Sequence, residues 1–136
     1  MKTAIRYYSK FGHTEKMVKA IAELAGCDPK TVSEPLEEKV DVLFLGAGIF
    51  LSKVDKSVMQ FVESLSSDSV GCVALIGSSA IIKEPTKQMR DALQKRNIQV
   101  YERDFTCKGS MGPIGAGHPD ADDIEALKSF VKEVLK

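Results

Sequence analysis

No charge of either sign is in excess in this chain. Lys and Arg number 19, Asp and Glu also 19, so the formal net charge is zero. Nucleic-acid binding therefore has no basic surplus to rest on. No apolar run is long enough to span a bilayer, and none is expected to. Met1 leads directly into a strand pattern, without the charged head, apolar stretch and cleavage site of a secretory leader. Cysteine is sparse: Cys27, Cys72 and Cys107 are odd in number, widely spaced, and form no C-x-x-C. A disulfide framework and a thiolate metal site are both disfavoured, and reduced thiols in a cytoplasmic protein are expected. Internal repeats, linkers and low-complexity segments are absent, so residues 1–136 read as one domain.

What is present is alternation. Residues 3–8 read as a strand, and Met17, Val18, Ile21, Ala22, Leu24 and Ala25 follow at helical spacing up to Gly26, a C-terminal glycine. Residues 30–33 are a short, weak strand. Residues 40–45 ("VDVLFL") and 70–76 ("VGCVALI") are near-continuous apolar strands. Between them, Val58, Phe61, Val62 and Leu65 mark a helix with Asp55 as its expected N-cap. Pro85 is placed as a first helical residue ahead of Met89, Ala92 and Leu93. Residues 98–105 are expected as a fifth strand. A final helix carries Asp120, Asp122 and Asp123 at its positive end and the stripe Ile124, Leu127, Phe130, Val131, Val134 and Leu135.

Strands that are apolar throughout are buried on both faces, as parallel sheets require. The expected architecture is thus α/β, a three-layer α/β/α sandwich with right-handed crossovers. Arg6 stands inside the first strand and needs a partner that the sequence does not identify.

In such a sheet ligands bind beyond the carboxyl ends of the strands. Three loops leave those ends: "SKFGHT" (9–14), "GAGIFLS" (46–52) and "GSSAIIKE" (77–84). In the first, Ser9 and Thr14 offer hydroxyls, Gly12 permits a tight turn, and the following helix presents free N–H groups. That set suits a phosphate monoester. Taken alone, the same residues also fit a plain turn and helix cap. The spacing is not that of a P-loop.

The strand ending in "YYS", followed by "SKFGHT" and a helix, resembles the phosphate loop of flavodoxins, [ST]-x-[ST]-G-x-T. Ser9, Gly12 and Thr14 match; Phe11 replaces a hydroxyl residue and His13 an asparagine. "VDVLFLGAGIF" is similar to the third strand and flavin loop of that family, and "VALIGSS" to the fourth strand and its loop. The length resembles the short-chain form. The resemblance implies strand order 2-1-3-4-5, noncovalent FMN, a monomer, and one-electron transfer between redox partner proteins. By the same resemblance, Ser9, Lys10, Phe11, Gly12, His13 and Thr14 surround the FMN phosphate. Ala47, Gly48, Ile49, Phe50 and Leu51 flank one side of the ring, and Ser78, Ser79, Ala80 and Ile81 the other. The redox chemistry belongs to the cofactor, so no catalytic acid or base is expected.

The chain also departs from that pattern. The loop after the fourth strand lacks the stacking aromatic of many flavodoxins; Ile81 is nearest to that place, and Phe50 is the one aromatic in the two flavin loops, able to stack or to pack in the core. Leu51 stands where many flavodoxins carry a glycine whose peptide turns toward the reduced ring. A non-glycine residue resists positive φ by roughly 1 kcal/mol, so weaker stabilisation of the neutral one-electron-reduced flavin is expected. Lys10, Lys53, Lys56 and Lys83 gather near the loops against Asp55 and Glu84, either as solvated surface or as charge favouring the anionic reduced ring. About 1.4 kcal/mol of such interaction corresponds to roughly 59 mV. His13 reads either as flanking the phosphate or as a surface residue at the helix start, His118 as a turn residue or a partner contact, Cys72 as a small buried residue, and Cys107 as an inert thiol after the fifth strand or one near the site.

Three functions remain open from sequence: an FMN electron carrier, a small FMN-dependent oxidoreductase acting on a quinone or protoporphyrinogen-like substrate, and a flavin-free interaction module. A phosphoryl-accepting receiver shares the strand order, but Leu45 and Gly46 stand where its aspartate is needed.

Overall fold

The computed structural model describes residues 1–8, 13–49, 54–79, 86–107 and 120–136. Its elements run β1 (Thr3–Tyr8), α1 (His13–Ala25), β2 (Pro29–Thr31), β3 (Val40–Ile49), α2 (Lys56–Ser64), β4 (Val70–Ser79), α3 (Lys87–Lys95), β5 (Phe105–Cys107) and α4 (Ala121–Val134). All strand pairs are parallel, in the order β2-β1-β3-β4-β5. The α/β fold and the strand order expected from sequence are both present.

Alternation along the strands divides the core in two. Ile5, Val42, Phe44, Ala74 and Ile76 point to one face, where Met17 and Ile21 of α1 and Leu127 and Val131 of α4 cover them. Leu43, Leu45, Val73 and Leu75 point to the other, under Val58 and Val62 of α2 and Met89 and Leu93 of α3. Each large side chain fully buried this way contributes about 1.5–3 kcal/mol. Helix ends follow from local chemistry. Gly26 takes φ +71° and its N–H bonds the Ala22 carbonyl at 2.9 Å, closing α1. Asn97, at φ 59°, closes α3 in the same left-handed conformation. Asp120 and Asp123 form a reciprocal capping box at the start of α4, each bond 2.9 Å.

Five elements differ in extent from the sequence expectation. β3 and β4 run on past the apolar stretches, to Ile49 and Ser79, because backbone pairing continues through Ala47–Gly77, Gly48–Ser78 and Ile49–Ser79 where hydropathy falls away. β2 is three residues long and starts at Pro29, a residue an edge strand tolerates. α3 begins at Lys87 behind Thr86, and Pro85 lies outside the described residues. The fifth strand is not continuous over 98–105. One bridge joins Val73 to Val100, the chain then leaves the ladder, and β5 resumes at Phe105. In the gap, the Arg90 guanidinium takes the Tyr101 carbonyl at 3.1 Å and the Asp104 carboxylate at 3.3 Å. Side-chain partners there replace sheet partners.

Arg6 finds its partners in this fold. No helix covers the sheet between β2 and β3, and the connecting loop lies there instead. The Arg6 guanidinium is 6% exposed and holds that loop: Nε donates to the Glu34 carbonyl at 2.8 Å and Nη2 to the Pro35 carbonyl at 3.0 Å, while Nη1 donates to the Ile5 carbonyl at 3.0 Å. Burial lowers its pKa, opposed by the nearby Glu34 and Glu37 carboxylates and the Cys27 thiol.

Candidate functional site

β1 lies between β2 and β3, so the chain moves to one side of β1 and then returns to the other. That is a topological switch point, and the carboxyl edge beside it is where an open α/β sheet takes ligands. α1 starts at His13, five residues after the last residue of β1. Its first turn therefore brings N–H groups that have no partner within the helix, and a positive dipole end, to that edge.

The edge itself is built from small residues. Register places Tyr8, Ala47, Gly77 and Thr106 side by side, and the next row outward is Gly48, Ser78 and Cys107. Ala47 is fully buried and Ser78 is 3% exposed. Glycine, alanine and serine on adjacent central strands leave the backbone approachable, so a flat ring can lie close against it. Among the described residues, the helix start suits the phosphate of FMN and the floor of small residues suits its ring.

The sequence-derived residues divide as follows. Ala47, Gly48, Ile49, Ser78 and Ser79 are brought together, as neighbours in the β3–β4 ladder and not as loop residues. The ladder fixes their backbone before any ligand arrives. His13 and Thr14 open α1, which puts Thr14 within the first turn, not at the cap. Ser9, Lys10, Phe11, Gly12, Phe50, Leu51, Ala80 and Ile81 lie outside the described residues, as do Lys53, Lys83 and His118. Lys56 is an exposed first residue of α2. Cys107 closes β5 opposite Ser78. Cys72 is half-buried in β4, and burial pushes its thiol pKa up, which keeps it protonated and inert.

Side chains outside the three sequence-derived loops support this edge, among them the expected cap Asp55. Asp55, the N-cap of α2, accepts from the Ser57 amide at 3.0 Å and the Ser57 hydroxyl at 2.6 Å. Burial first, and then the nearby charge of this carboxylate, raise the Tyr8 pKa. The buried Val54 amide donates to Gln88 Oε1 at 2.9 Å. Thr86 donates to Asp104 across to the segment before β5. Nothing local in sequence signals the Val54–Gln88 and Thr86–Asp104 pairs, which join residues 34 and 18 positions apart.

A different cleft of about 230 Å³ opens at the amino end of the sheet, bordered by Thr3, Arg6, Cys27, Asp28, Lys30 and Glu37. It mixes both charge signs and stands at the opposite end from the switch-point edge. Among the described residues no cluster of three or more His, Cys, Asp or Glu is arranged for a metal ion. Nor is any described helix long and apolar enough to cross a membrane.

Comparison with known proteins agrees with this geometry. A family model described as a flavodoxin domain matches residues 4–110. An uncharacterized protein of Methanocaldococcus jannaschii is 32% identical over 152 aligned positions, which take in all of this chain and 99% of that protein. Among solved structures, a flavodoxin from the domain Archaea superposes with a TM-score of 0.72 at 17% identity, covering 98% of this chain and 96% of its own. The rubredoxin oxygen:oxidoreductase of Desulfovibrio gigas gives 0.75 at 18% identity, over 96% of this chain and 34% of that one. At such identities the structural likenesses speak for the fold.

Proposed function

The chain belongs to the flavodoxin domain family, and on that premise we propose that it binds FMN noncovalently and passes electrons between redox partner proteins. The observation that carries this reading is the carboxyl edge at the switch point: the α1 N-terminus beside two rows of small residues, Ala47–Gly77 and Gly48–Ser78. FMN, when bound, supplies the electron chemistry.

The chain's own residues bind and orient. The first-turn amides of α1, with Ser9, Thr14 and the Gly12 turn, hold the phosphate, and Lys10 adds a counter-charge. The small residues of β3 and β4 let the ring approach the sheet. Phe50 and Leu51 on one side, Ala80 and Ile81 on the other, limit water around it. No residue of the set moves a proton or forms a bond. A carrier needs only a held cofactor with one edge open to partners.

The test is titration of the purified protein with FMN, followed by anaerobic reduction under absorbance. Stoichiometric binding with a shifted spectrum and quenched flavin fluorescence is expected. FMN that keeps its free spectrum at micromolar protein overturns the reading. Rapid turnover with a quinone or nicotinamide, without a second protein, would replace the carrier by an oxidoreductase.

A further inference from the structure

We infer that the cleft at the amino end of the sheet is a second ligand site, which takes a small zwitterion of dipeptide size. The inference stands apart from the FMN reading, because the cleft and the switch-point edge are at opposite ends of the sheet. Its wall holds a buried charge without a counter-charge. Arg6 is 6% exposed, lines the cleft of about 230 Å³, and enters none of the ion pairs among the described residues. Its bonds run to backbone carbonyls alone: Nε to Glu34, Nη2 to Pro35 and Nη1 to Ile5. Carbonyl dipoles solvate a buried charge but do not neutralise it. One N–H on each of Nη1 and Nη2 is left over, and such a pair can fork onto a carboxylate.

A second cation stands beside it. Lys30 is the register partner of Arg6 on β2, so the two side chains leave the sheet on the same face. Lys30 lines the same cleft and enters no ion pair among the described residues either. Like charges abreast on neighbouring strands repel, and an anionic group between them removes that cost. A plain anion is still a poor match. Asp28, Glu37 and Glu38 also line the cleft, and among them Glu38 alone has an ion-pair partner, Lys2 at 2.8 Å. The lining therefore offers acidic groups as well as basic ones, and a ligand that carries both signs satisfies both. Asp28 stands two residues before Lys30, about 6–7 Å away at strand spacing. An extended dipeptide separates its ammonium and carboxylate by about 6 Å, an α-amino acid by only about 2.5 Å. The volume agrees, since it falls below the roughly 300–1,000 Å³ of pockets for larger ligands.

The test titrates the full chain, with and without FMN, with glycylglycine, glycine, N-acetylglycine and glycinamide. Backbone amide NMR shifts of residues 27–38 report binding. Cys27 borders the cleft and is half-buried, so the rate at which iodoacetamide alkylates it is a second readout. Glycylglycine should saturate with a Kd of about 1 mM, as suits so few atoms, and should slow the alkylation. Glycine, N-acetylglycine (carboxylate only) and glycinamide (ammonium only) should bind about tenfold more weakly, each lacking one charged contact or the reach to make both. Two variants keep Arg6 and its hold on the loop. Lys30→Gln and Asp28→Asn change exposed side chains, and each should weaken glycylglycine severalfold. They should also act in opposite directions on the single-charge probes: Asp28→Asn tightens N-acetylglycine, and Lys30→Gln tightens glycinamide. The presence of FMN should alter none of this. Amide shifts that stay linear with glycylglycine to tens of millimolar would overturn the inference. So would N-acetylglycine binding as tightly as glycylglycine, which marks a plain anion site, or affinities that ignore both charge changes.

Discussion

Replacing Arg6 by methionine removes the buried side chain that ties the β2–β3 loop to the sheet, leaving the exposed Lys2–Glu38 pair in place, and the size of the effect can be worked out. Three N–H groups donate to the Glu34, Pro35 and Ile5 carbonyls at 2.8, 3.0 and 3.0 Å. A bond from a charged donor contributes about 1.5–3 kcal/mol, so the gross loss is roughly 4–9 kcal/mol. Two terms oppose it. The guanidinium no longer has to be desolvated, which returns several kcal/mol. Methionine also fills most of the stem volume, and the neighbouring 230 Å³ cleft lets water reach the orphaned carbonyls. The net loss is then about 2–3 kcal/mol, against a stability of roughly 5–15 kcal/mol for an ordinary domain. At about 3 °C per kcal/mol for this length, the unfolding temperature falls by roughly 6–9 °C. Urea denaturation at fixed m-value measures the first quantity. Hydrogen exchange of the amides of residues 32–39 measures the second, local one, and should accelerate. Arg6→Lys should recover only part, because one ammonium cannot span two carbonyls as the rigid fork does. A methionine variant within about 0.5 kcal/mol of wild type, with loop protection unchanged, would refute the reasoning.

Two further outcomes follow from the same structure. A Cβ added at Gly71 would stand 2.6 Å from the Asp41 carbonyl oxygen on the paired strand, and that oxygen cannot move without disturbing the ladder; Gly71→Ala should cost about 1–3 kcal/mol in urea unfolding, and a neutral result would show that β3 and β4 slide there freely. The Tyr8 and Tyr101 phenols have pKa values raised above the ordinary value near 10, by burial first and then by Asp55 and Glu133 respectively. Both are protonated in folded and unfolded chains below about pH 10, so their contribution to stability is complete there. The unfolded chain ionises first as pH rises, and the contribution disappears as pH passes the folded values. A spectrophotometric titration should show late-ionising phenol that Tyr8→Phe removes in part.

The legible parts of this fold were those written in local pattern. The apolar runs at 40–45 and 70–76 were visible because central parallel strands are buried on both faces. The Asp55 cap, the Gly26 terminator and the acidic start of α4 were visible because each acts within one helical turn. The same reliance on hydropathy failed where β3 and β4 carry Gly46–Ala47–Gly48 and Gly77–Ser78–Ser79. Those residues look like loop, yet they are strand, because their neighbours supply the hydrogen bonds. The fifth strand failed in the opposite sense. Residues 98–105 have strand composition, but Arg90 and Asp104 divert the chain from the ladder.

The sequence by itself determined the alternation of strands and helices, which faces are apolar, and the motif at 9–14 that points to a phosphate. Periodicity and turn chemistry act over a few residues, so they can be read in order. Only the tertiary structure decided that Arg6 stands in for a missing helix, that small residues from β3 and β4 meet in two rows, and that the Gln88 side chain reaches the Val54 amide. Those are contacts between segments far apart in the chain, and they exist only once the sheet has brought the segments together.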